Sequence, residues 1–453
     1  MQWGIIVSRL RRLMPVERFN RLCRGAALLW LLVTIPVGMV LRPTWFDFTQ
    51  FYTGGLVARL GGWNALYPIP RPGSLDNPGM VQNSAPKEFW SEVQAAQHVH
   101  DTTHFMLPPP SVLLFVPLSF FSYQVAFGIW VAILIGCTWG VARMAGWLYR
   151  SHVGYESRWE GLLALAVVLS PMVARAIRIM NVTPVLSLCI GMALLGLLRH
   201  ERPARQAVAI VLGMLLKYAT LILLPLYVAA RRWRTLAWVA GLSVAVLAVS
   251  FALMGKGPFV EFADKIVPTL SRPSIARGNQ SMTGYLVRVC YRPLPMSVAI
   301  PLGVARISLL LAALGLIFRR RPEAWQNPVC VSAAGAMLLS WLIAFSPISW
   351  EHYPIFLCPL WGWMLWEARQ DGWQRFGFIA AWVLMNLPIS IIGVKGFMTH
   401  RITLPEPLNS IQLWGVLLTM FLAMWRLSGS WQAARRLLRP AELPARVGNA
   451  SAR

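Results

Sequence analysis

The sequence predicts an all-α protein that crosses a membrane many times. Three observations predict it. The chain is 57% hydrophobic and only 13% charged, with a mean hydropathy of +0.55. Apolar runs near the roughly 20 residues that a bilayer-crossing helix needs recur from one end to the other. The 42 basic residues, against 17 acidic ones, gather in short clusters beside those runs, which is the pattern of cytoplasmic flanks and loops.

Taken in order, the runs predict about twelve segments, at 25–41, 108–122, 124–148, 159–176, 182–198, 206–229, 234–254, 297–318, 328–346, 353–367, 376–394 and 409–426. Several are shorter than a full crossing, which predicts half-helices or re-entrant pieces. Arginines set the orientation. Arg9, Arg11, Arg12, Arg18, Arg21 and Arg24 flank the first run; Arg426, Arg435, Arg436, Arg439 and Arg446 follow the last. Arg231, Arg232 and Arg234 form one short basic loop, and Arg319, Arg320 and Arg321 another. The positive-inside rule places all of them, and both termini, in the cytoplasm. One loop resists. Arg199, Arg202 and Arg205 would lie outside, unless 206–229 is a hairpin of two half-helices near Lys217.

The net charge of +25 does not predict a nucleic-acid partner, because the arginines flank apolar runs and form no basic domain. They suit anchoring to anionic lipid. The first run lies behind a basic flank with no small-residue cleavage site, so no cleavable signal is expected. Cys137, Cys189, Cys330 and Cys358 fall in or beside spans and Cys23 on the inner flank, leaving Cys290 without an outer partner for a disulfide. The expected organisation is one integral-membrane module over 1–427 and a basic cytoplasmic tail over 428–453.

Two long loops, 42–106 and 255–296, break the apolar pattern, and shorter ones lie at 346–353 and 395–410. All four should face outward. In the first, 54–60 with Phe51 and Tyr52 predicts a short interfacial amphipathic helix. Gly61-Gly62 would end it, and Trp63, Leu66 and Tyr67 would anchor at the headgroup level. A further short helix is expected at 87–98.

Each outer loop carries unusual chemistry. The first holds Asp47, an acid set among aromatics in an acid-poor chain. A carboxylate so placed is costly and is usually functional, and it is the right group to take a proton from a sugar hydroxyl. The plain alternative is a helix N-cap. The second loop holds Asn279, Gln280 and Arg288, whose plain readings are a self-bonded loop and an interfacial anchor. The third holds Trp350, Glu351 and His352, which could pair with an arginine or cap a span. The fourth holds Lys395, His400 and Arg401. Lys217, in an apolar run, needs a cavity to face. Aromatics, amides and arginines around an acid suit a sugar on an anionic lipid carrier, since arginine binds phosphate through paired hydrogen bonds. His98, His100, Asp101 and His104 match no zinc spacing, so no metal is expected.

These residues, in this order, resemble glycosyltransferase family 87, the polyprenol-phosphate-sugar-dependent mannosyltransferases of the GT-C superfamily. Asp47-Phe48 with Tyr52 and Leu66-Tyr67 is similar to the family's first outer loop. Residues 104–110 and 112–117 resemble its aromatic-proline lead into the second span. Leu216-Lys217, followed by Trp233-Arg234, resembles its lysine and basic-loop region. Asn279-Gln280-Ser281 and residues 346–352 are the most specific matches. The chain departs from the family where Met180, in place of a Gly-Gln pair, precedes Asn181, and where Tyr218 follows Lys217 in place of proline.

The resemblance implies a GT-C-type bundle with short interfacial helices in its outer loops. It implies that Asp47 is a general base, deprotonating an acceptor hydroxyl that attacks the anomeric carbon with inversion. Arg288, His352 and Lys217 would stabilise the leaving phosphate, and Tyr52, Trp350, Glu351, Asn279 and Gln280 would complete the substrate site. The donor would be a polyprenyl-phosphate sugar, mannose or another hexose or pentose, and the acceptor a glycolipid or lipid-linked glycan. No cofactor is implied. The setting would be a monomer in a bacterial inner membrane, with its site facing outward. Two other readings stand beside this one: a transporter of lipid-linked sugar, and transfer of another group, such as arabinofuranose, by the same fold.

Overall fold

The computed structural model describes residues 15–41, 46–63, 66–67, 69–70, 81–82, 105–199, 201–274, 276, 278–290, 294–370, 372–387 and 406–429. The expected helix at 87–98, the histidine group at 98–104, the loop residues Lys395, His400 and Arg401, and the tail beyond 429 lie outside them. The described chain is helical, apart from one two-residue antiparallel pairing of Ile69–Pro70 with Val81–Gln82.

Helix α1 is Val16–Leu41 and α2 is Phe46–Arg59. Two 3-10 turns follow, Pro109–Leu114 and Val116–Phe120. Helix α3 is Tyr123–Val153, stopped by Gly154 at φ +78, where a left-handed backbone suits glycine. Helices α4 (Trp159–Val168) and α5 (Pro171–Arg178) meet at a bend of 42°. Ser170 Oγ accepts the Met172 N–H at 3.3 Å and Pro171 opens α5, a capped start after the break. Then come α6 (Thr183–Arg199), α7 (Pro203–Lys217), a 3-10 turn Ala219–Leu223, α8 (Leu224–Ala229) and α9 (Trp233–Met254). The second outer loop contains α10 (Gly257–Glu261), a π-turn Phe262–Ile266, α11 (Val267–Ser271) and α12 (Met282–Cys290). The remainder is α13 (Met296–Phe318), α14 (Pro328–Phe345), a 3-10 stretch Tyr353–Leu360, α15 (Trp361–Ala368), α16 (Gln374–Asn386), α17 (Glu406–Asn409) and α18 (Ile411–Ser428).

Five of these helices are long and apolar enough to cross a bilayer: α3, α9, α13, α14 and α18. Counting the bent α4–α5 pair as one makes six. They differ in what they face. α14 is mostly buried at the centre of the bundle, whereas α9 and α13 are exposed along nearly all their length. A helix apolar all round and open on most sides is in contact with lipid.

Three expectations are corrected. The segment 108–122 is not a spanning helix but the two 3-10 turns, broken at Phe115. Pro108, Pro109, Pro110 and Pro117 supply no backbone N–H and block a continuous ladder. The helix at 54–60 is not a separate amphipathic one. It belongs to α2, in which Phe48, Phe51, Tyr52, Leu56, Val57 and Ala58 are all buried, because the helix has no polar face to turn outward. Leu66 and Tyr67 are buried too, with the Tyr67 hydroxyl donating to the Leu107 carbonyl at 2.7 Å.

The segment 206–229 is the hairpin. α7 ends at Lys217, Tyr218 adopts φ +55, and the chain folds back so that Thr220 Oγ1 donates to the Ile210 carbonyl at 2.6 Å. Gly213 permits this return, since a Cβ there would strike Thr220. The consequence reaches the resisting basic loop. Arg232 donates to the Leu197 carbonyl at 3.2 Å, and Thr235 lies 3.4 Å from Gln206. The loop at 199–205 and the loop at 231–234 therefore share one end of the molecule.

The same end collects buried ion pairs. Glu160 is buried against Arg150 and Arg24, and Glu367 against Arg426 at 2.7 Å. All six cysteines are free.

Candidate active site

The opposite end of the bundle assembles around Asp47. Its helix is fixed first by aromatic packing: Phe51 stacks on Phe115 at 4.8 Å, and Phe48 lies 5.3 Å from Tyr123. Thr49 Oγ1 and the Tyr123 hydroxyl are 3.0 Å apart. The start of α2 is then tied to the α5–α6 turn, where the Asp47 N–H donates to the Ile179 carbonyl at 3.3 Å. That turn is sharp, with Met180 at φ +56 and its carbonyl held by Trp130 Nε1 at 3.0 Å.

These ties bring two amide side chains to the carboxylate and a lysine behind them. Gln50 Nε2 donates to Asp47 Oδ1 at 2.9 Å, and Asn181 Nδ2 donates to Oδ2 at 2.5 Å. Lys217 Nζ lies 3.5 Å from Asn181 Oδ1 and 3.0 Å from the Tyr353 hydroxyl, with the Tyr353 ring centroid 4.6 Å away. Burial pushes the Asp47 carboxyl above its usual value near 3.8. The Asn181 bond, the Lys217 charge, the Gln50 bond and the Arg175 charge pull it back, in that order. A carboxylate more basic than usual is suited to accept a proton.

Beside it lie Arg175, paired with Glu351, and the ring of His352. Arg175 Nε and Glu351 Oε1 are 2.6 Å apart, so Glu351 takes its plain reading as an arginine's partner. His352 is buried at 3% exposure, its ring 5.1 Å from Tyr353. Burial, then the charges of Lys217 and Arg175, hold His352 well below 6.5, so the ring is neutral at neutral pH. Its Nε2 is buried and makes no hydrogen bond among the described residues.

Asn279, Gln280 and Arg288 sit elsewhere, in a lattice that joins three loops. Asn279 pairs with Trp350 as an isolated β-bridge, and its Oδ1 accepts the Ser349 N–H at 2.8 Å. Gln280 Nε2 donates to the Asn409 carbonyl at 2.9 Å. Arg288 donates to the Asn279 and Ala276 carbonyls at 2.8 and 3.1 Å and to Ser410 Oγ at 2.7 Å. This lattice fixes the loop that carries Glu351 and His352. Tyr52 is likewise engaged, its hydroxyl donating to the Phe121 carbonyl at 2.8 Å.

The sequence brought Asp47, Lys217 and His352 to notice, and the Lys217 charge acts on both of the others. It did not single out Gln50, Arg175 or Tyr353. Gln50 follows Asp47 by three residues, one helical turn. Arg175 is an arginine at the end of the bundle away from the basic loops, where its charge calls for a purpose.

The bundle, with helices long and apolar enough to cross a membrane, thus gathers an acid, amides and cations at one end. The family model Glycosyltransferase family 87 matches residues 105–347, just over half of the chain. The chain belongs to glycosyltransferase family 87 and is a glycosyltransferase. The match takes in Asn181, Lys217, Asn279, Gln280 and Arg288 and lies between Asp47 and His352 in the chain. No curated protein matches it.

Proposed function

We propose that the protein transfers a sugar, mannose or a related hexose or pentose, from a polyprenyl-phosphate carrier to a glycolipid or lipid-linked glycan. One observation carries this reading: a carboxylate held by two amide donors, with the charges of Lys217 and Arg175 and the buried, neutral ring of His352 beside it. Asp47 takes the proton of the acceptor hydroxyl. The freed oxygen forms the bond to the anomeric carbon, the bond from that carbon to the carrier oxygen breaks, and its electron pair leaves with the polyprenyl phosphate. Attack and departure on opposite faces invert the anomeric centre. Lys217 and the His352 ring meet the charge that grows on the leaving phosphate, where fixed donors are most effective.

The arginine-rich end faces the cytoplasm under the positive-inside rule, so the Asp47 end faces outward in the proposed bacterial inner membrane. The test is transfer in vitro from a panel of radiolabelled polyprenyl-phosphate sugars to a membrane lipid extract. Labelled product from one donor supports the reading. Translocation of sugar-lipid in liposomes, with no transfer from any donor, would replace it with transport.

A further inference from the structure

We infer that Asn181 is the positioning residue of the transfer, the side chain that sets Asp47 and Lys217 relative to each other. The inference rests on Asp47 being the base.

Both ends of the Asn181 amide are engaged, and the pattern admits one orientation. Oδ1 faces two donors, the Thr183 N–H at 3.0 Å and Lys217 Nζ at 3.5 Å. Nδ2 faces an acceptor, Asp47 Oδ2, at 2.5 Å. Turned over, the amide would set its NH₂ against two donors and its oxygen against a carboxylate. Thr183 opens α6, so the Thr183 bond ties the side chain to the helix start. The backbone is held as well, by the Asn181 N–H to the Ala176 carbonyl at 3.0 Å. At 5% exposure, little room remains for another rotamer. With Gln50 on Oδ1 and Asn181 on Oδ2, the Asp47 carboxylate cannot swing. Lys217, the proposed leaving-group partner, is attached to the same amide. Asn181 thus carries the geometry between the proton acceptor and the cation.

The rival role is purely structural, a loop side chain that tethers the first turn of α6. Asn181→Ser separates the two. Serine can still accept the Thr183 N–H but is too short to reach Asp47. The expected result is a kcat lower by about a hundredfold, the scale of a misplaced reacting group, with the donor KM little changed. The acidic limb of the pH–rate profile should also move to higher pH, because the Asn181 bond is one of the pulls that lower Asp47. A serine variant with wild-type kcat and an unmoved limb overturns the inference.

Should that variant fail to fold, the isosteric Asn181→Asp keeps an oxygen for Thr183 and sets a second carboxylate against Asp47. Two carboxylates in contact share a proton, so its acidic limb should rise further; an unmoved limb again overturns the inference. Asp47→Asn in the same assay separates the layers. Wild-type-like activity there removes the base role and this inference together. An inactive Asp47→Asn beside an unaffected Asn181→Ser removes the positioning role alone.

Discussion

Asp47 draws its chemistry from its neighbours rather than from its residue type. Burial raises its proton affinity, while two amides and two cations pull it back down. The base must be deprotonated to act, so the rate should fall as pH drops through this raised value. The acidic limb of kcat/KM against pH is therefore expected above the usual 3.8. In the proposed transfer Lys217 acts on both the base and the leaving phosphate. Lys217→Met, which keeps the length and removes the charge, should cut kcat by roughly a hundredfold or more. It should also push the acidic limb upward, because one of the pulls on Asp47 is lost. Paired pH–rate profiles of the wild type and this variant check both effects. At this scale Asp47, Lys217 and His352 were legible because each is an expensive polar group in an apolar setting. Gln50 and Tyr353 were not, since an amide and a tyrosine near a membrane surface have many ordinary uses.

The outer loops behave as one element, though they are far apart in sequence. Asn279 bonds loop backbone carbonyls and N–H groups, and Arg288 bonds loop carbonyls and the Ser410 hydroxyl, which makes them the frame of the Glu351–His352 loop. Removing a buried guanidinium with several bonds leaves those acceptors unpaired, at a cost of about 2–4 kcal/mol. Arg288→Ala is expected to lower the Tm in detergent by several degrees and to lose activity that extra donor does not restore. The α7–α8 hairpin is equally sensitive. Gly213→Val should destabilise the fold, because a side chain there meets Thr220 on the returning strand of the hairpin; thermal unfolding in detergent reads the loss. The apolar runs gave most helices within a few residues. They misplaced α2 because its aromatic residues were read as an interfacial stripe, while its apolar and polar residues are not segregated and the aromatics pack inward, buried. They misread 108–122 because hydropathy ignores the lost N–H groups of four prolines.

The whole molecule is polarised between two ends. One carries the arginine loops with Glu160 and Glu367, the other Asp47 and the loop lattice. The one basic loop that conflicted with the charge rule joins the others once the chain reverses after Lys217. That reversal was legible only as an alternative, because nothing in hydropathy marks a turn at Tyr218. Labelling with a membrane-impermeant thiol reagent tests the polarity. In a chain whose six cysteines are replaced, Arg202→Cys and Arg231→Cys should label only in inside-out vesicles, and Arg272→Cys only in right-side-out vesicles. Labelling of Arg202→Cys and Arg272→Cys from the same side would break the proposed arrangement. The central claim is that Asp47 accepts the acceptor's proton during transfer from a lipid-phosphate sugar. Its most direct measurement is the transfer rate of Asp47→Asn against wild type, with the donor that the panel identifies and with equal folded protein. Loss of about a hundredfold or more, the usual contribution of a general base, is the expected result. A rate within about tenfold of wild type would contradict it.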